Sequence, residues 1–175
     1  MNIRQASVED VTGIANVHVA SWKTTYAGIM PDGVLQNLCV TEREKMWEIV
    51  LTKYKDQTAV YVATTEDGTI IGFASGGKEQ TGKFDIAAEL HTIYLLEAYQ
   101  GQGIGRKLFL CVVEDLQTKG YKSMMTWVVK NNPATKFYES FKPECIAEEY
   151  VEDLQVDEVA YAWRDLHKTI SENSD

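Results

Sequence analysis

Residues 100–106 read Gln100-Gly101-Gln102-Gly103-Ile104-Gly105-Arg106, with glycines at alternate positions just before a run of helically spaced apolar residues. Glycines in this pattern permit a tight turn and close backbone approach to a ligand. A turn that opens a helix also presents free amides and the positive end of the helix dipole, so it forms an anion site whose natural occupant is a diphosphate. Two other phosphate-binding patterns fail on spacing. The dinucleotide fingerprint G-x-G-x-x-G ends on Arg106 when counted from Gly101 and on Leu108 when counted from Gly103. The nucleoside-triphosphate loop needs Gly-Lys-Ser/Thr at a fixed interval, and none follows. Upstream, Glu89 and His91 lie in an extended run, where a period of two predicts that Glu89, His91, Ile93 and Leu95 share one strand face. Burial there would raise the Glu89 carboxyl toward the working range of a general base.

These residues must be positioned by a strand, a turn and a helix, and the flanking pattern supplies them. The run 87–96 is strand-like, and residues 103–119 carry Ile104, Leu108, Phe109, Val112, Val113 and Leu116 at helical spacing, with Gly120 as the stop. Residues 122–130 read as a further strand. Pro133 sits where a first helical turn tolerates it, ahead of a short helix over 134–141. Two late strands are expected near 146–151 and 158–165. Toward the N-terminus a short strand over 2–6 precedes a capping-box-like start, Ser7-Val8-Glu9-Asp10, and a helix to about Ala20. A loop with a short helix covers 22–40. A second capping box, Thr41-Glu42-Arg43-Glu44, opens a helix through Leu51. Strands at 58–65 and 69–75 flank the hairpin signal Glu66-Asp67-Gly68, and Gly76, Gly77 and Gly82 suggest a loop. No repeat or linker interrupts residues 1–170, which are read as one domain with a loose tail over 171–175.

The glycine turn matches the Gln/Arg-x-x-Gly-x-Gly/Ala signature at Gln100, Gly103 and Gly105, and with it the chain resembles the GNAT N-acetyltransferase family. The resemblance extends to Glu89-Leu90-His91-Thr92-Ile93-Tyr94-Leu95, similar to the family's fourth strand. It also covers Trp127-Val128-Val129-Lys130-Asn131 and the N-x-x-A-x-x-F-Y-E pattern that ends in Phe137-Tyr138-Glu139. One departure stands out: the family commonly follows Tyr-Glu with a Gly-Phe pair, and this chain has Ser140-Phe141-Lys142-Pro143. The implied fold is mixed α/β, a mostly antiparallel twisted sheet with strands 4 and 5 parallel and splayed, flanked by helices on both faces.

The resemblance implies transfer of the acetyl group of acetyl-coenzyme A to a primary amine of a small molecule or peptide, by direct attack and without a metal. It implies that backbone atoms of Ile93, Tyr94 and Leu95 hold the pantetheine arm. Gln100, Gly101, Gln102, Gly103, Ile104, Gly105 and Arg106 would cradle the pyrophosphate, with Asn131 on the pantetheine. Tyr138 falls on the family's general acid and Glu89 on its general base, with His91 or water in reserve. Trp22, Tyr26 and His91 fall on the acceptor wall, where aromatics could hold an amine by cation–π contact. A non-catalytic acyl-coenzyme A sensor and an unrelated nucleotide-phosphate binder are the competing readings.

Composition limits the partners. The 175 residues carry a net charge of −9, a field that repels nucleic acid and anionic membranes and gathers cations. Cys39, Cys111 and Cys145 lack disulfide or zinc spacing and read as buried thiols of a reducing compartment. No apolar run approaches the ~20 residues needed to span a bilayer and the N-terminus lacks a signal-peptide core, so the expected location is the cytoplasm. A homodimer is left open.

Overall fold

The computed structural model describes residues 1–173. In chain order these form β1 (Asn2–Gln5), α1 (Val11–Thr25), α2 (Asp32–Gln36), α3 (Val40–Lys53), β2 (Ala59–Thr64), β3 (Ile70–Lys78), β4 (Ala88–Leu95), α4 (Ile104–Thr118), β5 (Met124–Val129), α5 (Ala134–Glu139), β6 (Glu144–Val151), β7 (Val156–Trp163) and α6 (Leu166–Ser171). The strands make one sheet in the order β1-β2-β3-β4-β5-β7-β6. Every neighbouring pair is antiparallel except β4 and β5.

Both faces of the sheet are covered, because the two long amphipathic stretches of the chain each need an apolar partner. On one face α4 buries Leu108, Phe109, Val112, Val113 and Leu116 against Ile71, Ala74, Leu90 and Met124. On the other, Ile14, Ala15 and Val17 of α1 and Trp47 and Leu51 of α3 pack on Val60, Val62 and Phe73. Each fully buried side chain of this size contributes about 1.5–3 kcal/mol.

Several sequence expectations change. Helix α1 runs to Thr25 rather than Ala20, and β3 continues through Gly76 and Gly77 to Lys78 where a loop was expected. A Cβ on Gly76 would lie 2.8 Å from Val112 Cγ1, so this glycine lets the strand pass close beneath α4. The box at Ser7 forms, with the Ser7 N–H donating to Asp10 Oδ2 at 2.8 Å. The box at Thr41 does not, because α3 already begins at Val40 and Glu44 instead accepts from Thr12 Oγ1 at 2.8 Å. Cys39 and Cys145 are exposed rather than buried, since one precedes α3 and the other lies on the edge strand β6. All three thiols are free.

The turn after α5 is built without glycine. Lys142 takes a left-handed φ of 51°, a conformation that favours glycine. Phe141 stacks on Phe109 with centroids 4.0 Å apart, and its carbonyl accepts from Trp163 Nε1 at 2.9 Å. Helix α6 was not expected from the sequence. Its cap is Asp165, which accepts from the Lys168 N–H at 3.1 Å. Of the expected tail, Ser171 closes α6 and Asn173 is buried, while 174–175 lie outside the described residues.

Candidate active site

The parallel ladder between β4 and β5 contains, among the described residues, only Ala88↔Met124 and Glu89↔Met125. Beyond this point the strands diverge and β4 has no ladder partner on that edge. A buried backbone edge cannot stay unpaired without cost, so the opening suits an extended ligand that adds as a strand. A cleft of about 640 Å³ occupies it. Ile93, Tyr94, Leu95, Gln100, Gly101, Gly103, Gly105, Arg106, Thr126, Trp127, Val128, Asn132, Ala134, Phe137 and Tyr138 all line it.

The cleft reaches both faces of the sheet. Ile93, Leu95, Val128, Phe137 and Tyr138 belong to the core beneath α4, whereas Tyr94 packs among α1 residues and Trp127 packs with Ile86 and Phe84 on the opposite face. This division corrects the expected strand face. The β3–β4 register shifts between Ser75↔Thr92 and Gly76↔Leu90, which leaves His91 as a bulged residue. One extra residue reverses the alternation. Ile93 and Leu95 therefore join Ala88 and Leu90 on the α4 side. Glu89 lies opposite Gly77, whose side faces His91: a Cβ there would lie 3.2 Å from His91 Cε1. Glu89 and His91 thus share the α1 side with Thr92 and Tyr94.

On the α4 side, the glycine turn stands at the mouth of the cleft. Gly101 and Gly103 have φ of 74° and 78°, and Gly103 directly precedes α4. A Cβ at either would meet nothing within 4 Å, so the requirement is conformational and the space beside them is open. Gly105 has a different reason: a Cβ there would lie 3.3 Å from the Phe137 ring. The first turn of α4 holds no acidic residue, which suits an anion at its amides. Gln100 and Gln102 brace the loop through Nε2 bonds to Leu95 O at 3.1 Å and Ala98 O at 3.4 Å. The Arg106 guanidinium donates to Asn173 O and Oδ1 at 3.1 and 3.0 Å and lies 5.2 Å from the Phe141 ring centre. The open strand edge and the glycine turn fit a long thioester with a diphosphate.

Two asparagines separate at the end of β5. Asn131 is exposed, whereas Asn132 is buried, lines the cleft and accepts from the Ala134 N–H at 2.9 Å, which starts α5. Asn131, expected on the pantetheine, is not among the residues that line the cleft.

Tyr138 is buried on α5, and its phenol is pushed far above its ordinary range by burial and by the neighbouring Tyr26. Glu89 is pushed up to about 7 by burial and by the carboxylates of Glu79 and Glu158, against the Gln80 backbone N–H. Burial, then Glu149, also raises Glu158. His91 lines the cleft, and burial lowers its pKa against the opposing effect of the Lys78 backbone. Its Nε2 is buried and has no hydrogen-bond partner among the described residues.

Tyr26 lines the cleft and its hydroxyl lies 3.3 Å from that of Tyr94. Trp22 packs edge-on against Tyr26, with centroids 5.1 Å apart, and carries Arg43 5.6 Å from its ring centre. One of its cation–π positions is thus filled from within the chain. His18 stacks on Tyr94 at 5.4 Å and accepts from Trp47 Nε1 at 3.2 Å. Among the described residues no group of three or more His, Cys, Asp or Glu is placed to hold a metal, and no helix is long and apolar enough to cross a membrane.

The acetyltransferase (GNAT) family model matches residues 24–142. An uncharacterized N-acetyltransferase of Bacillus subtilis, YuaI, is 39% identical over 168 residues, spanning 95% of this chain and 94% of the relative. A spermidine N(1)-acetyltransferase of Thermoplasma acidophilum is 26% identical over 134 residues, spanning 75% and 80%. The crystal structure of a PaiA N-acetyltransferase from the same organism, in complex with coenzyme A, aligns with a TM-score of 0.72 at 24% identity, covering 93% of this chain and 98% of that one.

Proposed function

The chain belongs to the GNAT acetyltransferase family and is an N-acetyltransferase of that type; from this premise we propose that it moves the acetyl group of acetyl-coenzyme A to an aliphatic polyamine inside a ternary complex. The observation that carries this reading is the cleft that opens to both faces of the sheet. Donor and acceptor can enter from opposite sides and meet where β4 and β5 part.

The amides of Gln102 to Arg106 hold the diphosphate and the free edge of β4 at Ile93, Tyr94 and Leu95 holds the pantetheine. This alignment removes most of the entropic cost of bringing amine and thioester together. The amine must arrive neutral, and alkylammonium groups titrate near pH 10. Glu89, raised to about 7, is the base that takes this proton, directly or through water. The nitrogen attacks the carbonyl carbon, the carbon–sulfur bond breaks with its electron pair on sulfur, and Tyr138 supplies the sulfur with a proton. The phenolate regains the proton that nitrogen sheds on becoming an amide.

The polyamine assignment is supported by the carboxylates of Glu79, Glu89 and Glu158 beside the acceptor side and by the similarity to a spermidine acetyltransferase. Turnover of acetyl-coenzyme A against spermidine, monoamines, aminoglycosides, amino-acid amides and an alanine-terminated peptide tests it. Spermidine is expected to have the highest kcat/KM. A preference for the peptide or a monoamine would overturn the acceptor, and thioester binding without transfer to any amine would overturn the catalytic reading.

A further inference from the structure

Thr126 is the first β5 residue beyond the last pair with β4, Glu89↔Met125. It is buried, 2% exposed, yet lines the cleft. Its hydroxyl donates across the widening gap to the Leu90 carbonyl at 2.9 Å. Its side chain points to the α4 side, as its strand neighbours Met124 and Val128 do, which is the side that holds Tyr138. The hydroxyl has one proton, given to Leu90 with Trp127 O more distant at 3.5 Å, and its lone pairs remain able to accept from a phenol that lines the same cleft on the same side. We propose that Thr126 is a positioning residue for Tyr138, holding the phenol at the point where the strands part and turning its own proton onto the phenolate once Tyr138 has protonated the sulfur.

The proposal rests on the reading of Tyr138 as the acid. A buried phenolate without a donor is costly, because nothing replaces the water it has lost. Thr126 lowers that cost by exchanging one acceptor, the Leu90 oxygen, for another. The Thr126 hydroxyl favours the ionised phenol, opposing the burial and the Tyr26 repulsion that hold the proton in place. The exchange needs no displacement of the backbone, only rotation about the Thr126 side chain. No proton is gained or lost in it, since the phenolate is restored by the proton from nitrogen.

The test measures kcat, acetyl-coenzyme A affinity and thermal unfolding for Thr126→Val, Thr126→Ser and Thr126→Cys, each alone and with Tyr138→Phe, using the best amine of the panel above. Thr126→Val keeps the shape and loses the donor, so kcat should fall about tenfold or more, the effect of a hydrogen bond to a charged group, while affinity holds. Thr126→Ser should restore most of the rate, and Thr126→Cys, a weak donor of similar size, should fall between. In the Tyr138→Phe background the same changes should have no further effect, because the group they serve is gone. Equal losses with and without Tyr138 would show that Thr126 only supports the strand opening, and would overturn the proposal. If the valine variant does not fold, serine and cysteine still decide, since a cysteine variant as active as the serine one would also overturn it. A Tyr138→Phe enzyme within about twofold of the parent would instead remove the premise that Tyr138 is an acid.

Discussion

At the scale of single residues, the proposed chemistry depends on two acids whose protons burial holds in place, both being raised by desolvation. Desolvation holds the proton on the Tyr138 phenol and raises the Glu89 carboxyl to about 7. For Glu89 the sign gives two outcomes. As a base it must be ionised, so kcat/KM should rise with pH through an acidic limb near 7, and Glu89→Gln should lose that limb and recover rate only as free amine appears at high pH. A pH profile of both forms decides this. An unchanged acidic limb in the variant would assign the proton to His91 or water. For stability the raised value acts the other way. The neutral carboxyl suits the fold below its unfolded value of about 4.3, and this contribution is lost as pH rises through 7. Glu89→Gln should therefore melt higher than the parent at pH 8 and not at pH 4.

At the scale of elements, the glycine turn and the β4 bulge perform separate tasks. Gly101 and Gly103 take left-handed backbones just before α4, and the space beside both is open. Gly103→Asp would strain that turn and set a carboxylate at the proposed diphosphate site. Calorimetry should show coenzyme A affinity falling by at least tenfold in a protein that still unfolds cooperatively; unchanged affinity in the folded variant would displace the phosphate from this turn. The bulge at His91 sends Glu89 and His91 to one face while Ile93 and Leu95 stay on the other. The proposed base and the strand edge proposed for the cofactor thereby face opposite sides of the sheet, as entry of two substrates from opposite sides would need.

At the scale of the whole molecule, the net charge of −9 would act with opposite sign on the donor and on the proposed polyamine acceptor. A polycationic acceptor is drawn in, and the field that draws it shrinks from roughly 30 Å at 0.01 M salt to 3 Å at 1 M. Over that range kcat/KM for spermidine should fall severalfold with kcat nearly constant, while KM for acetyl-coenzyme A stays level or falls. A spermidine dependence as flat as that of a neutral-tailed monoamine would remove steering from the account. The segment that follows α6 also reaches the glycine turn: Asn173 accepts from the Arg106 guanidinium, so a residue 67 positions away orients a side chain of that turn.

What the sequence by itself determined was local. The glycine spacing marked a strand-to-helix turn, helical and alternating periods located most elements within a few residues, and the Phe137-Tyr138-Glu139 run carried the resemblance from which Tyr138 is proposed as the acid. These features depend on neighbours within one or two turns of chain, so a linear pattern can hold them. Tertiary structure decided the rest. Whether Glu89 shares a face with Ile93 depends on one unpaired residue in a ladder formed with β3, and a shift of one residue reverses every side chain beyond it. Asn132 rather than Asn131 enters the cleft because α5 begins there and buries it, and Lys142 serves where glycine is usual because Phe141 is anchored by Phe109 and Trp163. Thr126 has no motif at all. Its hydroxyl matters only because two strands far apart in sequence run together for two residue pairs and then part, and no local pattern records where that parting falls.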